Sequence, residues 1–111
     1  MKRKYRLRRS SDFHRVRQVG KSYASSLMVL AFLQNELEHS RFGFVVSKRL
    51  GNAVQRNKIK RRMREAIRLR LVRIKPGFDV VIIARKPAGQ VTFRAIEQSL
   101  DRLLAASQLL S

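Results

Sequence analysis

Eleven side chains between Lys48 and Arg73 are cations (Lys48, Arg49, Arg56, Lys58, Lys60, Arg61, Arg62, Arg64, Arg68, Arg70, Arg73), and Glu65 is the single acid among them. Cations at this density hold a polyanion; they do not break bonds. On a helix, residues three and four apart are neighbours, and like charges at that spacing cost stability. A run of one sign is therefore expected to find its neutralising charge on a partner. Arg outnumbers Lys in the run, and its planar fork gives a phosphate two hydrogen bonds at once and stacks on bases. Asn52 and Asn57 add amide donors suited to phosphate or base edges. An Asn ahead of a helix also serves as a plain cap, and a basic run also serves as a solvated face, so both readings stay open at this stage.

Other chemistry has little to work with. General acid–base or metal-assisted hydrolysis needs clustered carboxylates or histidines. Asp12, Asp79 and Asp101 are scattered, His14 and His39 fall in separate elements, and there is no cysteine. Without cysteine there is no thiolate nucleophile, no disulfide and no thiolate metal site. No catalytic residue, no metal-ligating set and no bound cofactor is expected, and the two histidines are assigned to solvent or phosphate contact.

The whole chain sets the scale of the problem. Its 111 residues carry 26 Lys and Arg against 7 Asp and Glu, a net charge of +19, with 44% hydrophobic residues. That is enough apolar material for one domain around one core, and enough charge to repel itself unless a polyanion neutralises it. RNA, DNA and an anionic membrane all fit the charge. No run approaches the roughly 18 apolar residues of a membrane span. Met1 to Arg9 carries six cations (Lys2, Arg3, Lys4, Arg6, Arg8, Arg9) and lacks the apolar stretch of a signal peptide. A soluble, cytoplasmic protein is expected, with residues 1–9 as a basic arm that is flexible when free.

The elements that must position the basic run follow from periodicity. Ser10 or Ser11 is suited to cap a short helix with Phe13, Val16 and Val19 on one stripe and His14, Arg15 and Arg17 on the others, ending at Gly20. Ser25–Gln34 and Arg41–Ser47 are rich in β-formers and read as two antiparallel strands around a polar loop. In the second, Phe42, Phe44 and Val46 share one face, and Gly43, Val45 and Ser47 the other. After Gly51 and Asn52, the spacing of Ile59, Met63, Ala66, Ile67 and Leu71 predicts an amphipathic helix from about Val54 to Arg70. Pro76 and Gly77 then lead into Phe78–Ala84, an apolar run suited to a central strand buried on both faces. Thr92 caps a last helix carrying Ile96, Leu100, Leu103 and Leu104. The fold class is α+β, a single-domain α-β sandwich over 1–111 in the order α-β-β-α-β-α, with an extra short strand near Tyr23 left open.

The string KRLGNAVQRNKIKRRMREAIR, from Lys48 to Arg68, closely resembles the bacterial ribonuclease P protein family, whose hallmark is an Arg-Asn-Arg type helix after a Gly-Asn-Ala-Val turn. The first helix, the FGFVVSKRL segment and the DVVIIARKPA segment fall in that family's order, so the resemblance covers nearly the whole chain. It implies an accessory subunit that binds a large catalytic RNA and assists removal of the 5′ leader from precursor tRNA. Catalysis and the required Mg²⁺ would belong to the RNA. It also implies that Lys48, Arg49, Asn52, Arg56, Asn57, Lys58, Lys60, Arg61 and Arg64 face the catalytic RNA. Lys58 stands where many relatives carry Arg, which keeps the charge and loses the bidentate fork. Phe13 matches an aromatic residue of a leader-binding cleft between the first helix and the sheet. Arg17 replaces a Phe found there in many relatives, exchanging one kind of stacking group for another. Against the general right-handed rule, the family implies a left-handed strand–helix–strand crossover through the basic helix. The expected partners are ribonuclease P RNA and precursor tRNA, with no membrane and no obligate protein partner. The competing readings are a structural RNA-binding protein of ribosomal type, a DNA-binding protein, for which helix-turn-helix and zinc-ligand signals are lacking, and a membrane-active peptide.

Overall fold

Phe78–Ala84 is apolar enough to be dry on both faces, and it occupies an interior place in the sheet, between two other strands. The computed structural model describes all residues, Met1 to Ser111. Its elements are α1 (Ser10–Val19), β1 (Lys21–Ala24), β2 (Met28–Gln34), β3 (Arg41–Val45), α2 (Ala53–Arg68), β4 (Phe78–Ala84) and α3 (Phe93–Ala106), with short 3-10 turns at Arg3–Tyr5, Lys48–Leu50, Leu71–Arg73 and Lys86–Gln90. The sheet order is β1-β2-β4-β3. β2 runs antiparallel to β4, from Met28 opposite Ala84 to Gln34 opposite Phe78, and β3 runs parallel to it, from Arg41 opposite Asp79 to Val45 opposite Ile83. α2 thus lies in the crossover that joins two parallel neighbours. The short strand near Tyr23 is β1, paired antiparallel with β2.

Three local expectations are corrected. β2 and β3 run in opposite directions but do not pair, because β4 inserts between them. Ser25 to Leu27 leave the strand: the Ser25 hydroxyl accepts from the Leu27 and Met28 amides, both at 3.2 Å, and folds the β1–β2 hairpin. Neither Ser10 nor Ser11 caps α1; Arg9 occupies the N-cap without a side-chain bond, and both serines lie within the helix. The other caps stand. Asn52 accepts from the Gln55 amide at 3.0 Å while Gln55 returns a bond to the Asn52 amide at 2.9 Å, a reciprocal box that starts α2. Thr92 accepts from the Ala95 amide to start α3.

Successive strand residues point to opposite faces, and both faces of this sheet are covered. On one face Leu30, Phe42, Val80 and Ile82 pack against Ile59, Met63 and Ile67 of α2 and Ile96, Leu100 and Leu104 of α3. On the other, Leu7, Val16, Ala31 and Val81 form a smaller cluster with half-buried Phe13, Leu33, Val45 and Ile83 beneath α1. The single expected core is thus divided by the sheet into a large part and a small one. At roughly 1.5–3 kcal/mol for each fully buried aliphatic side chain, the large cluster dominates stability, and α1 relies on a thin apolar contact supplemented by ion pairs.

Part of the basic arm is docked. Leu7 is 5% exposed, its amide donates to the Phe42 carbonyl at 2.9 Å, and Arg6 bridges to Phe42 along the free edge of β3. Leu7 is the one aliphatic side chain between Lys2 and Arg9, and burying it anchors that stretch beside the sheet.

Candidate nucleic-acid interface

α2 turns Ile59, Met63, Ala66 and Ile67 into the core. Spacing alone then places the remaining positions outward. Asn57, Lys58 and Arg61 are exposed, and Arg56, Lys60 and Arg64 are partly so. Asn57, Lys60, Arg61 and Arg64 line one shallow hollow on the helix surface. The Arg64 guanidinium sits 5.9 Å from the centre of the Phe44 ring, so this cation packs on β3 as well as facing outward. A second hollow, between the Lys48–Leu50 turn, α2 and the Lys86–Gln90 turn, gathers Arg49, Lys58, Arg62 and Lys86 in a notch of about 280 Å³. Lys48 and Asn52 are exposed at the approach to α2.

The run of eleven cations is not all interface. Arg62 donates to the Val91 carbonyl at 2.9 Å, and Arg68 pairs with Glu65. Arg70 is buried, where it donates to the Ala66 carbonyl and to the carboxylates of Glu97 and Asp101 and so ties the end of α2 to α3. Its hydrogen bonds to Asp101 hold that carboxyl below the usual carboxylate range. Lys86 is an interface candidate that sequence reasoning missed. Lys86 reads locally as a loop cation, and only the turn after β4 brings it to α2.

On the opposite face of the sheet, α1 and β3 enclose a groove of about 580 Å³ lined by Arg8, Phe13, His14, Arg17, Gln18 and Val45. Phe13 and Arg17, one helical turn apart, both open into it. Phe13 lies against the backbone of β3 at Gly43, so close that a Cβ at that position would collide with the ring. It is therefore both a core residue of the smaller cluster and a wall of the groove.

Charge fixes this helix in place. Asp79, at the start of β4, is fully buried. Arg41 donates to its two oxygens at 2.9 and 2.8 Å, Asn35 donates at 2.9 Å, and Arg15 of α1 approaches to 3.6 Å. The same Arg41 reaches Asp12 of α1 at 3.7 Å. Burial pushes the Asp79 carboxyl up, but the hydrogen bonds from Arg41 and Asn35 and the charges of Arg41 and Arg15 outweigh it and leave it below the usual carboxylate range. Asp12 and Asp79, distant in sequence, are thus brought together around one guanidinium. That arrangement stitches α1 to the sheet.

Residues 1–108 match the family model described as ribonuclease P. The chain belongs to the ribonuclease P protein family. It is 46% identical over 105 residues to the ribonuclease P protein component of Roseiflexus castenholzii, covering 94% of this chain and 86% of that one. It is 39% identical over 104 residues to that of Clostridioides difficile, covering 93% and 91%. Among solved structures, the Staphylococcus aureus RNase P protein superposes with a TM-score of 0.89 at 39% identity, covering 96% of this chain and 98% of that chain. The Thermotoga maritima RNase P protein gives 0.84 at 37%, covering 91% and 96%. The ribonuclease P protein is the protein subunit of an endoribonuclease that matures the 5′ end of tRNA, and its partner is the ribonuclease P RNA. No helix of this chain is long and apolar enough to cross a membrane.

Proposed function

We propose that the chain grips two RNA segments on opposite faces of its sheet. The outer surface of α2, with Lys48, Arg49, Asn52, Arg56, Asn57, Lys58, Lys60, Arg61 and Arg64, binds the ribonuclease P RNA. The groove between α1 and β3, with Phe13 and Arg17, takes the single-stranded 5′ leader of precursor tRNA. The observation that carries this reading is the segregation itself: a helix presenting cations with few intramolecular partners on one side, and an aromatic-walled cationic groove on the other. Phosphates suit the first surface, since each is matched by a cation free to displace counterions. Unpaired nucleotides suit the second, since stacking on aromatic or guanidinium planes requires open bases.

Catalysis and its Mg²⁺ fall to the RNA. Five of the seven acids (Asp12, Glu65, Asp79, Glu97, Asp101) are held in ion pairs by arginines of this chain, an arrangement suited to building structure. The assembly works in the cytoplasm and needs no further protein. Separate variants test the division of labour. Lys60→Ala with Arg61→Ala should weaken binding to ribonuclease P RNA whatever the substrate, and Arg17→Ala should weaken only the affinity gained from a leader. Equal losses on leadered and leaderless substrates from Arg17→Ala would remove the groove from the proposal.

A further inference from the structure

The end of the sheet where β3 and β4 begin carries a pocket that shares no residue with either surface above. It lies between Tyr5, the loop ahead of β3 and the segment ahead of β4, and its volume of about 250 Å³ falls just below the roughly 300 Å³ at which pockets for drug-sized ligands begin. A single planar ring system is the size it fits. Tyr5 and His39 meet edge to face with ring centres 5.9 Å apart, and Val72, 92% exposed, and Pro76 add apolar walls. The walls are pre-built. Asn35 donates to the buried Asp79 at 2.9 Å and accepts from the Leu37 amide at 2.8 Å, which fixes the loop. Ser40 donates to the Lys75 carbonyl at 2.7 Å and accepts from the Phe78 amide at 3.0 Å, and the Asn35 amide donates to the Gly77 carbonyl at 2.8 Å, which stitches the two walls together.

The pocket wall also includes an exposed acidic residue. Glu38 lines it and takes part in no ion pair, although 26 cations share the chain. A carboxylate only accepts hydrogen bonds. The nucleobase that offers two adjacent donors on its pairing edge is guanine; adenine, cytosine and uracil each place an acceptor beside their donor. Lys4, whose ammonium lies 5.0 Å from the Tyr5 ring centre, and exposed Lys75 flank the opening with charge suited to phosphates.

We propose that this pocket captures an unpaired guanine of single-stranded RNA, stacked among Tyr5, His39 and Val72, with Glu38 accepting from its two adjacent N–H groups. Stacking on aromatic side chains and reading the pairing edge is how proteins recognise splayed-out RNA bases. The site would give the chain one point of base-specific contact that neither the phosphate-binding face of α2 nor the stacking groove provides.

The test follows the Tyr5 and His39 ring resonances of the full chain by NMR during titration with a short oligouridylate carrying one central guanosine, with its adenosine counterpart, and with free GMP. The guanosine oligonucleotide should shift both rings and bind at least about tenfold more tightly than the adenosine one, the scale of a good bidentate base contact. Glu38→Gln, an exposed loop substitution checked by an unchanged amide spectrum elsewhere, should erase that preference while leaving the adenosine affinity unchanged. Equal affinity for the two oligonucleotides, or rings that do not move, would overturn the proposal. GMP binding as tightly as the oligonucleotide would overturn its assignment to RNA.

Discussion

At the scale of single residues, the molecule separates cations that build structure from cations left free at the surface. Arg70 lies buried between α2 and α3 and Arg41 bridges α1 to β4, whereas Arg61 stands clear of both clusters. Arg61→Ala should therefore leave the unfolding midpoint unchanged and reduce the slope of log affinity against log salt for ribonuclease P RNA by about 1, the loss of one phosphate contact. Parallel denaturation and salt titrations check both halves. Arg41→Ala should behave in the opposite way: it leaves buried Asp79 only Asn35 and the more distant Arg15, a loss of up to about 3–5 kcal/mol, the cost of breaking a buried pair, from a domain whose total stability is roughly 5–15 kcal/mol. The pH dependence has a definite sign. Asp79 is held below its unfolded value, so the native state binds fewer protons than the unfolded state as acid is added. Its contribution is fully present above the unfolded value of about 3.9 and fades as pH falls through the lower folded one. Asp79→Asn should flatten the acid limb of the stability profile, and an unchanged limb would show that other carboxyls set it.

At the scale of elements, the join between α1 and β3 carries the groove. Gly43 is there because the Phe13 ring occupies the space of any Cβ. Gly43→Ala should displace that ring, cost about 1–3 kcal/mol as overpacking does, and weaken leader-dependent substrate affinity while sparing binding to ribonuclease P RNA. Substrate titrations with and without a leader distinguish this from general loss of fold. Asn52 invites a different substitution, because it caps α2 and is also exposed on the surface proposed to face the RNA. Asp caps as well as Asn but repels phosphate, so Asn52→Asp should keep stability while weakening RNA affinity; full RNA affinity would reduce Asn52 to a cap. The elements themselves were legible wherever periodicity was strong. The 3.6-residue spacing of Ile59, Met63 and Ile67 foretold α2, and the dry run from Phe78 to Ala84 foretold a central strand. Strand pairing was not legible, since nothing in β2 or β3 says that β4 will insert between them. Leu7 was equally silent, being one apolar side chain among cations whose burial depends on the distant edge of β3.

At the scale of the whole molecule, a net charge of +19 on so small a fold calls for a polyanion to neutralise it, and the proposed function supplies RNA on both faces of one sheet. The basic run announced the first surface directly, because its residues are adjacent on one helix. The groove was legible only through the family resemblance at Phe13 and Arg17, because Arg8 and Val45 arrive from other elements. The convergence of Lys86 on Arg49, Lys58 and Arg62 depends on the same folding. The most direct test of the two-surface account is single-turnover cleavage of precursor tRNA by ribonuclease P RNA at limiting Mg²⁺, with and without this protein, on leadered and leaderless substrates. The account predicts that the protein restores cleavage and tightens substrate binding when a leader is present, and tightens little without one. Equal tightening of both substrates, or RNA binding without restored cleavage, would contradict it.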